Sequence, residues 1–135
     1  MERMTGIIYS DLGQASIFMA LDWVQVLLKD RLGYHPFPAT LNVRPMAAAD
    51  AQTWQRVRRE FAGTSLTAAS ERHCGAKLFR VDISKAAQAG KIGGAVLLPE
   101  VQDYPEDKIE IVAPMRLKDH FQVNDGDQLT LEFLN

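Results

Sequence analysis

The sequence holds a single cysteine, Cys74, so it can build neither a disulfide framework nor a cysteine-based zinc site. Long apolar runs are scarce as well. No stretch approaches the roughly 20 apolar residues that span a bilayer, and the first residues, Met1 to Thr5, are polar. Neither sign of charge dominates: 15 Lys and Arg stand against 17 Asp and Glu, a formal charge of -2. That balance supplies no broad positive field for duplex nucleic acid. Internal repeats and low-complexity segments are missing, and no GxxxxGK(S/T) run is present, which excludes a P-loop NTPase. What is there is ordinary globular material, 135 residues with 47% hydrophobic and 24% charged. It is enough for one domain, residues 1–135, with its own core. The expectation is a cytoplasmic, soluble monomer with no nucleic-acid or membrane partner.

Hydrophobic patterning predicts a chain dominated by strands. Residues 6–9 read as the first, residues 10–15 as a polar turn, and residues 16–20 as a return to extended structure, together a hairpin with a long loop. The clearest helix runs from Asp22 to Leu32. Asp22 is placed to cap it, Gln25 follows in a capping-box pattern, and Leu21, Val24, Leu28 and Leu32 share one face. Lys29 and Arg31 suit its C-terminal end, and Gly33 can close it in a left-handed conformation. Pro36 and Pro38 then demand an extended path. Further strands are expected at residues 40–43, 77–83, 94–99, 109–114 and 128–133. A second helix is expected over 50–61, a helical turn or two over 115–121, and a tight turn at 124–127. The sum is a mainly β protein: a small six-stranded barrel with one firm helix and short connecting helices. The βα alternation of a Rossmann fold is absent.

Three places carry chemistry, each with a plain reading beside it. Loops that cradle phosphate need small residues so that backbone N–H groups approach anionic oxygens. Between residues 10 and 16 only Gly13 is a glycine, and on pattern alone the segment is a turn as readily as a phosphate loop. Thr40 and Asn42 are two apart in a strand and so share a face, while Leu41 and Val43 take the other. A hydroxyl and a carbonyl side by side form a polar strand face, or part of a Mg2+ shell completed by phosphates and water. Glu110, between Ile109 and Ile111, is either solvent-facing or a hydrogen-bond acceptor in a pocket. Elsewhere the plain readings prevail. Asn124-Asp125-Gly126-Asp127 lacks the downstream ligands of an EF-hand, and His35, His73 and His120 follow no metal spacing. Cys74 reads as a packing residue, and Arg56, Arg58 and Arg59 read as a solvated helix face.

These features occur together in one order. Residues 6–18, the run Leu32-Gly33-Tyr34-His35-Pro36-Phe37-Pro38-Ala39-Thr40-Leu41-Asn42-Val43, residues 92–99, the run Glu110-Ile111-Val112-Ala113-Pro114-Met115-Arg116-Leu117-Lys118, and Asp125-Gly126-Asp127 resemble the CTP-dependent riboflavin kinases best known from archaea. The resemblance covers nearly the whole chain and is weakest over residues 46–70. It implies a cradle-loop β-barrel that transfers the γ-phosphoryl group of CTP to the 5′-hydroxyl of riboflavin, giving FMN and CDP. It implies a nucleotide site formed by Asp11, Leu12, Gly13, Gln14, Ala15 and Ser16 with Met115, Arg116, Leu117 and Lys118. It further implies Mg2+ on Thr40 and Asn42, and flavin contacts from Gln102 and Glu110; it names no catalytic base. Asp11, Ala15 and Ala39 stand where the family has glycine, and Gln102 where it has threonine. Two other readings fit these departures: a non-catalytic flavin- or nucleotide-binding relative, and a kinase with a different small-molecule acceptor.

Overall fold

The computed structural model describes residues 2–11, 13–66 and 75–134. Along the chain run β1 (Glu2–Tyr9), α1 (Gln14–Met19), α2 (Asp22–Leu32), β2 (Leu41–Pro45), α3 (Ala48–Glu60), β3 (Thr64–Leu66), β4 (Ala76–Ser84), β5 (Ile92–Pro99), β6 (Ile109–Val112), α4 (Leu117–Phe121) and β7 (Gln128–Phe133). Strands pair antiparallel in the order β4-β5-β6-β2-β1-β7, and β7 returns to β4, which closes a six-stranded barrel. One edge of β4 serves two partners: Ala76 to Leu78 pair with β3, and Val81 to Ser84 pair with β7. Among the described residues closure leaves the short β3 as the sole edge strand, in keeping with how small all-β folds limit exposed edges. Among the described residues no helix is long and apolar enough to cross a membrane.

Strand alternation divides the apolar residues between two layers. Met4, Ile8, Val43, Val81, Ile83, Ile109, Ile111, Leu129 and Leu131 belong to one buried cluster inside the barrel. Ala95, Leu97 and Val112 point the other way and pack under Met19, Val24, Leu28 and Leu32, so α1 and α2 cover the outside of the β5–β6 wall. At the ring closure Trp54 of α3 stacks on Phe133 at 5.7 Å and meets Phe79 edge-on at 6.0 Å. Asp50 fixes the start of α3: one carboxylate oxygen accepts the Ala47 N–H at 3.0 Å and the other the Thr5 N–H at 2.9 Å. A single side chain thus caps a helix and docks it on β1.

Several expectations need correction. Residues 16–20 are not a strand, because β1 already has β2 and β7 as neighbours and no edge is free for a hairpin partner. Gly13, at φ 69°, turns the chain into α1, and the Ser16 hydroxyl donates back to the Gly13 carbonyl at 2.8 Å. Ala15 therefore lies in a helix, and of the described loop residues Gly13 takes the left-handed conformation. Asp22 does not cap α2; Leu21 occupies that position. Gln25, instead of closing a capping box, donates to the carbonyls of Met19 at 2.7 Å and Pro36 at 3.1 Å, pinning the segments on either side of α2. Gly33 closes α2 as expected, at φ 89°. The first strand starts at Glu2 rather than Gly6, because Met4 turns inward between solvent-facing neighbours. The second expected helix is present as α3, starting at Ala48 rather than Asp50. The strand β3 had no counterpart in the sequence reading. His73 and Cys74 lie outside the described residues.

Candidate functional site

A row of polar side chains crosses three strands. Tyr9 of β1 pairs with Asn42 of β2, and Asn42 pairs with Glu110 of β6. The row faces outward, because Ile8, Leu41, Val43, Ile109 and Ile111 of the same strands fill the barrel. Thr40, just before β2, joins it: its hydroxyl oxygen lies 3.3 Å from Asn42 Oδ1 and 3.2 Å from Glu110 Oε1. One hydroxyl proton serves one of those acceptors at a time. The second Glu110 oxygen accepts the Tyr104 hydroxyl at 2.5 Å. Burial, then the bond to Glu110, pushes the Tyr104 phenol far above the ordinary tyrosine range, so Tyr104 stays a donor. Asn42 and Glu110 are 8% and 6% exposed, so these partners are what makes their burial tolerable.

The loop after β1 brings a carboxylate to the same place. Asp11 Oδ1 accepts the Gly13 N–H at 3.2 Å, and Asp11 Oδ2 pairs with Lys108 Nζ at 2.8 Å. The bond to Lys108 holds the Asp11 carboxyl below the usual carboxylate range against some burial, and bonds from Gly13 and Asn42 act in the same direction. Burial alone would lower the Lys108 ammonium; its bond to Asp11 and the charges of Glu110 and Asp11 outweigh that and raise it. The ammonium also lies 5.7 Å from the centre of the Tyr104 ring.

A cleft of about 150 Å³ opens beside this cluster, lined by Ala39 and Thr40 on one side and Met115, Arg116, Leu117 and Lys118 on the other. Leu117 is buried and anchors that wall. Phe37 donates its N–H to the Ala113 carbonyl at 2.8 Å, which fixes the spacing between the two sides. Lys118 Nζ reaches Ser10 Oγ at 3.3 Å and Asp125 Oδ1 at 2.9 Å, so it ties the loop after β1 to the turn before β7. Arg116 is paired with Asp119 at 2.6 Å. Thr40 belongs to both the polar row and the cleft, and joins them.

The structure thus brings together Asp11, Thr40, Asn42 and Glu110, with Met115 to Lys118 across the cleft. Ala15 and Ser16 sit on α1, and Ser16 bonds to Gly13 rather than into the cluster. Leu12 lies outside the described residues. Gln102 stands apart: it is exposed in the connection between β5 and β6, in a shallow groove of about 640 Å³ shared with Tyr104. Sequence reading missed Tyr104 and Lys108. The available signal for Lys108 was its place two residues before Glu110, on the same parity of an extended segment.

Among the described residues no group of three or more His, Cys, Asp or Glu is placed to hold a metal ion. The neutral pair Thr40 and Asn42 nevertheless fits Mg2+. Neighbouring ligands of an octahedron with 2.0–2.1 Å bonds lie about 2.9 Å apart, close to the 3.3 Å between the two side-chain oxygens here. Two neutral oxygens leave most of the shell to phosphates and water, as Mg2+ prefers.

Comparison with known proteins decides the family. A family model for CTP-dependent riboflavin kinases, described as the domain of unknown function DUF120, matches residues 8–133. The chain belongs to this family. Similar curated proteins include the riboflavin kinase of Pyrobaculum arsenaticum, 31% identical over 132 residues, which are 98% of this chain and 60% of that protein. The riboflavin kinase of Methanocella arvoryzae is 33% identical over 134 residues, 96% of this chain and 56% of its own length. This member of the CTP-dependent riboflavin kinase family thus spans 60% or less of the length of those two relatives. Every candidate residue named above lies inside the matched segment.

Proposed function

We propose that this chain transfers the γ-phosphoryl group of CTP to the 5′-hydroxyl of riboflavin, yielding FMN and CDP. The observation that carries the reading is the junction at Thr40: a neutral oxygen pair suited to Mg2+ and a buried Glu110 share one hydroxyl beside a cleft. In this reaction the bond from the γ-phosphorus to the β,γ-bridging oxygen breaks, a bond to the riboflavin oxygen forms, and the hydroxyl proton is released. Such a transfer asks the protein for in-line positioning and charge neutralisation more than covalent work. Thr40 and Asn42 would hold Mg2+, which when bound neutralises phosphate charge. Residues 11–16 and Met115 to Lys118 would flank the nucleotide, and backbone carbonyls there would accept the cytosine amino group. Glu110, fixed by Tyr104, would accept a hydrogen bond from the flavin, and Gln102 would meet it from the groove it shares with Tyr104. In this reading the protein acts as a cytoplasmic monomer.

The test is direct. Purified protein is incubated with Mg2+, riboflavin and CTP, ATP or no nucleotide, and FMN is separated by chromatography. FMN formation that requires CTP is expected, and folded protein that makes none with any nucleotide overturns the kinase reading. A second reading, a binding relative without catalysis, is favoured by Asp11, which puts a carboxylate where the family has glycine. It predicts no FMN but a higher melting temperature with riboflavin or CTP.

A further inference from the structure

Lys108 has no part in the chemistry above, and Asp11 enters it only as one residue of the loop beside the nucleotide. A carboxylate in a phosphate-binding loop repels a triphosphate, yet this one is neutralised in place by Lys108 Nζ at 2.8 Å. Lys108 is not a loose surface lysine. Its side chain is 22% exposed, it enters directly before β6, and its ammonium lies near the Tyr104 ring. The cations that line the neighbouring cleft are committed as well, Arg116 to Asp119 and Lys118 to Asp125. Of the three acids, Asp11 is the one inside the loop, where its other carboxylate oxygen accepts the Gly13 N–H at 3.2 Å.

We propose that Lys108 is a phosphate-contacting residue of the nucleotide site, and that Asp11 is a built-in competitor that occupies its ammonium until a nucleoside triphosphate displaces it. A triphosphate carries several negative charges against one on Asp11, so exchange on the same ammonium favours the nucleotide. The pair thereby holds the site ready without leaving a part-buried cation bare, at the expense of some nucleotide affinity. This inference rests on the nucleotide reading of the loop given above.

Binding of CTP with Mg2+, and separately of riboflavin, is measured by titration calorimetry on the wild type, Lys108→Met, Lys108→Arg and Asp11→Asn, with a melting curve for each. Lys108→Met is expected to weaken CTP at least tenfold while riboflavin affinity changes less than twofold, and Lys108→Arg to recover most of the loss. Asp11→Asn is expected to tighten CTP severalfold by freeing Lys108, and this arm stands if Lys108→Met does not fold. CTP affinity within twofold of wild type in a folded Lys108→Met overturns the proposal. So does weaker CTP binding by Asp11→Asn, which would make Asp11 a ligand rather than a competitor. A wild type that takes up no CTP overturns the nucleotide reading itself, and is told apart because it needs no variant.

Discussion

At the residue scale, Thr40 and Asn42 were readable as a pair because a strand puts alternate residues on one face. Their meeting with Glu110 was not, since it joins positions 70 residues apart. Whether Glu110 faced water or a pocket depended on Tyr104, whose loop carries no periodic signal. Asp11 gave no sign of a partner because Lys108 lies just before β6, far along the chain, and is brought to it only by the pairing of β1, β2 and β6. Thr40→Ala with Asn42→Ala is expected to lower Mg2+-dependent FMN formation at least 100-fold, about 2.7 kcal/mol or more; a Mg2+ titration of the initial rate checks it. A second prediction follows from proton linkage. Asp11 has a folded pKa below its ordinary 3.8, so its stabilisation is complete above that value and is lost as pH falls through the lower folded one. Melting temperatures of wild type and Asp11→Asn are therefore expected to differ at neutral pH and to draw together as pH falls from 3.8 through the lower folded value. The gap will be modest, since solvent screens a carboxylate that is 34% exposed.

At the element scale, length and neighbours decided what local patterning left open. A short apolar run such as Ile17-Phe18-Met19 fits either a strand or a helix. It became α1 because both edges of β1 were taken, and Met19 then buries completely while Ile17 stays 74% exposed. The longer α2 carried its own period and its closing glycine, so its span was legible, although its N-terminal cap was not. The two glycines of β5 look equivalent in sequence but are not. A Cβ on Gly94 would stand 2.5 Å from the Val112 carbonyl oxygen and 2.9 Å from Ile83 Cδ1, whereas one on Gly93 meets nothing within 4 Å. Gly94→Ala forces β6 away from β5 and is expected to cost about 1–3 kcal/mol. Gly93→Ala is expected to stay within about 0.5 kcal/mol of wild type. Urea denaturation of the two variants checks the contrast, and equal losses would remove the close approach as its cause.

At the scale of the whole molecule, the strand count predicted closure, but the partners that make it were out of reach. They pair β1 with β7, across almost the full chain, and β7 with β4. Trp54 packs where that ring joins, against Phe133 of β7 and Phe79 of β4. Trp54→Ala is expected to cost about 3–5 kcal/mol. Trp54→Phe is expected to cost clearly less, because the indole N–H finds no partner among the described residues and its removal strands nothing. Calorimetric melting of both variants distinguishes packing at the seam from a loss confined to α3.

The pairing of β1 with β7 also gives the barrel a mechanical direction. Glu2 lies opposite Phe133, and the register runs inward from there to Ile7 opposite Gln128. Tension applied at Glu2 and Phe133 loads these bonds one after another, like a zipper, rather than all at once in shear. The same load applied at Glu2 and Gln128, the far end of β7, drags the two strands lengthwise and strains the ladder together. In an optical trap the first attachment is expected to open the barrel at the lower force, so its resistance to pulling depends on where it is held.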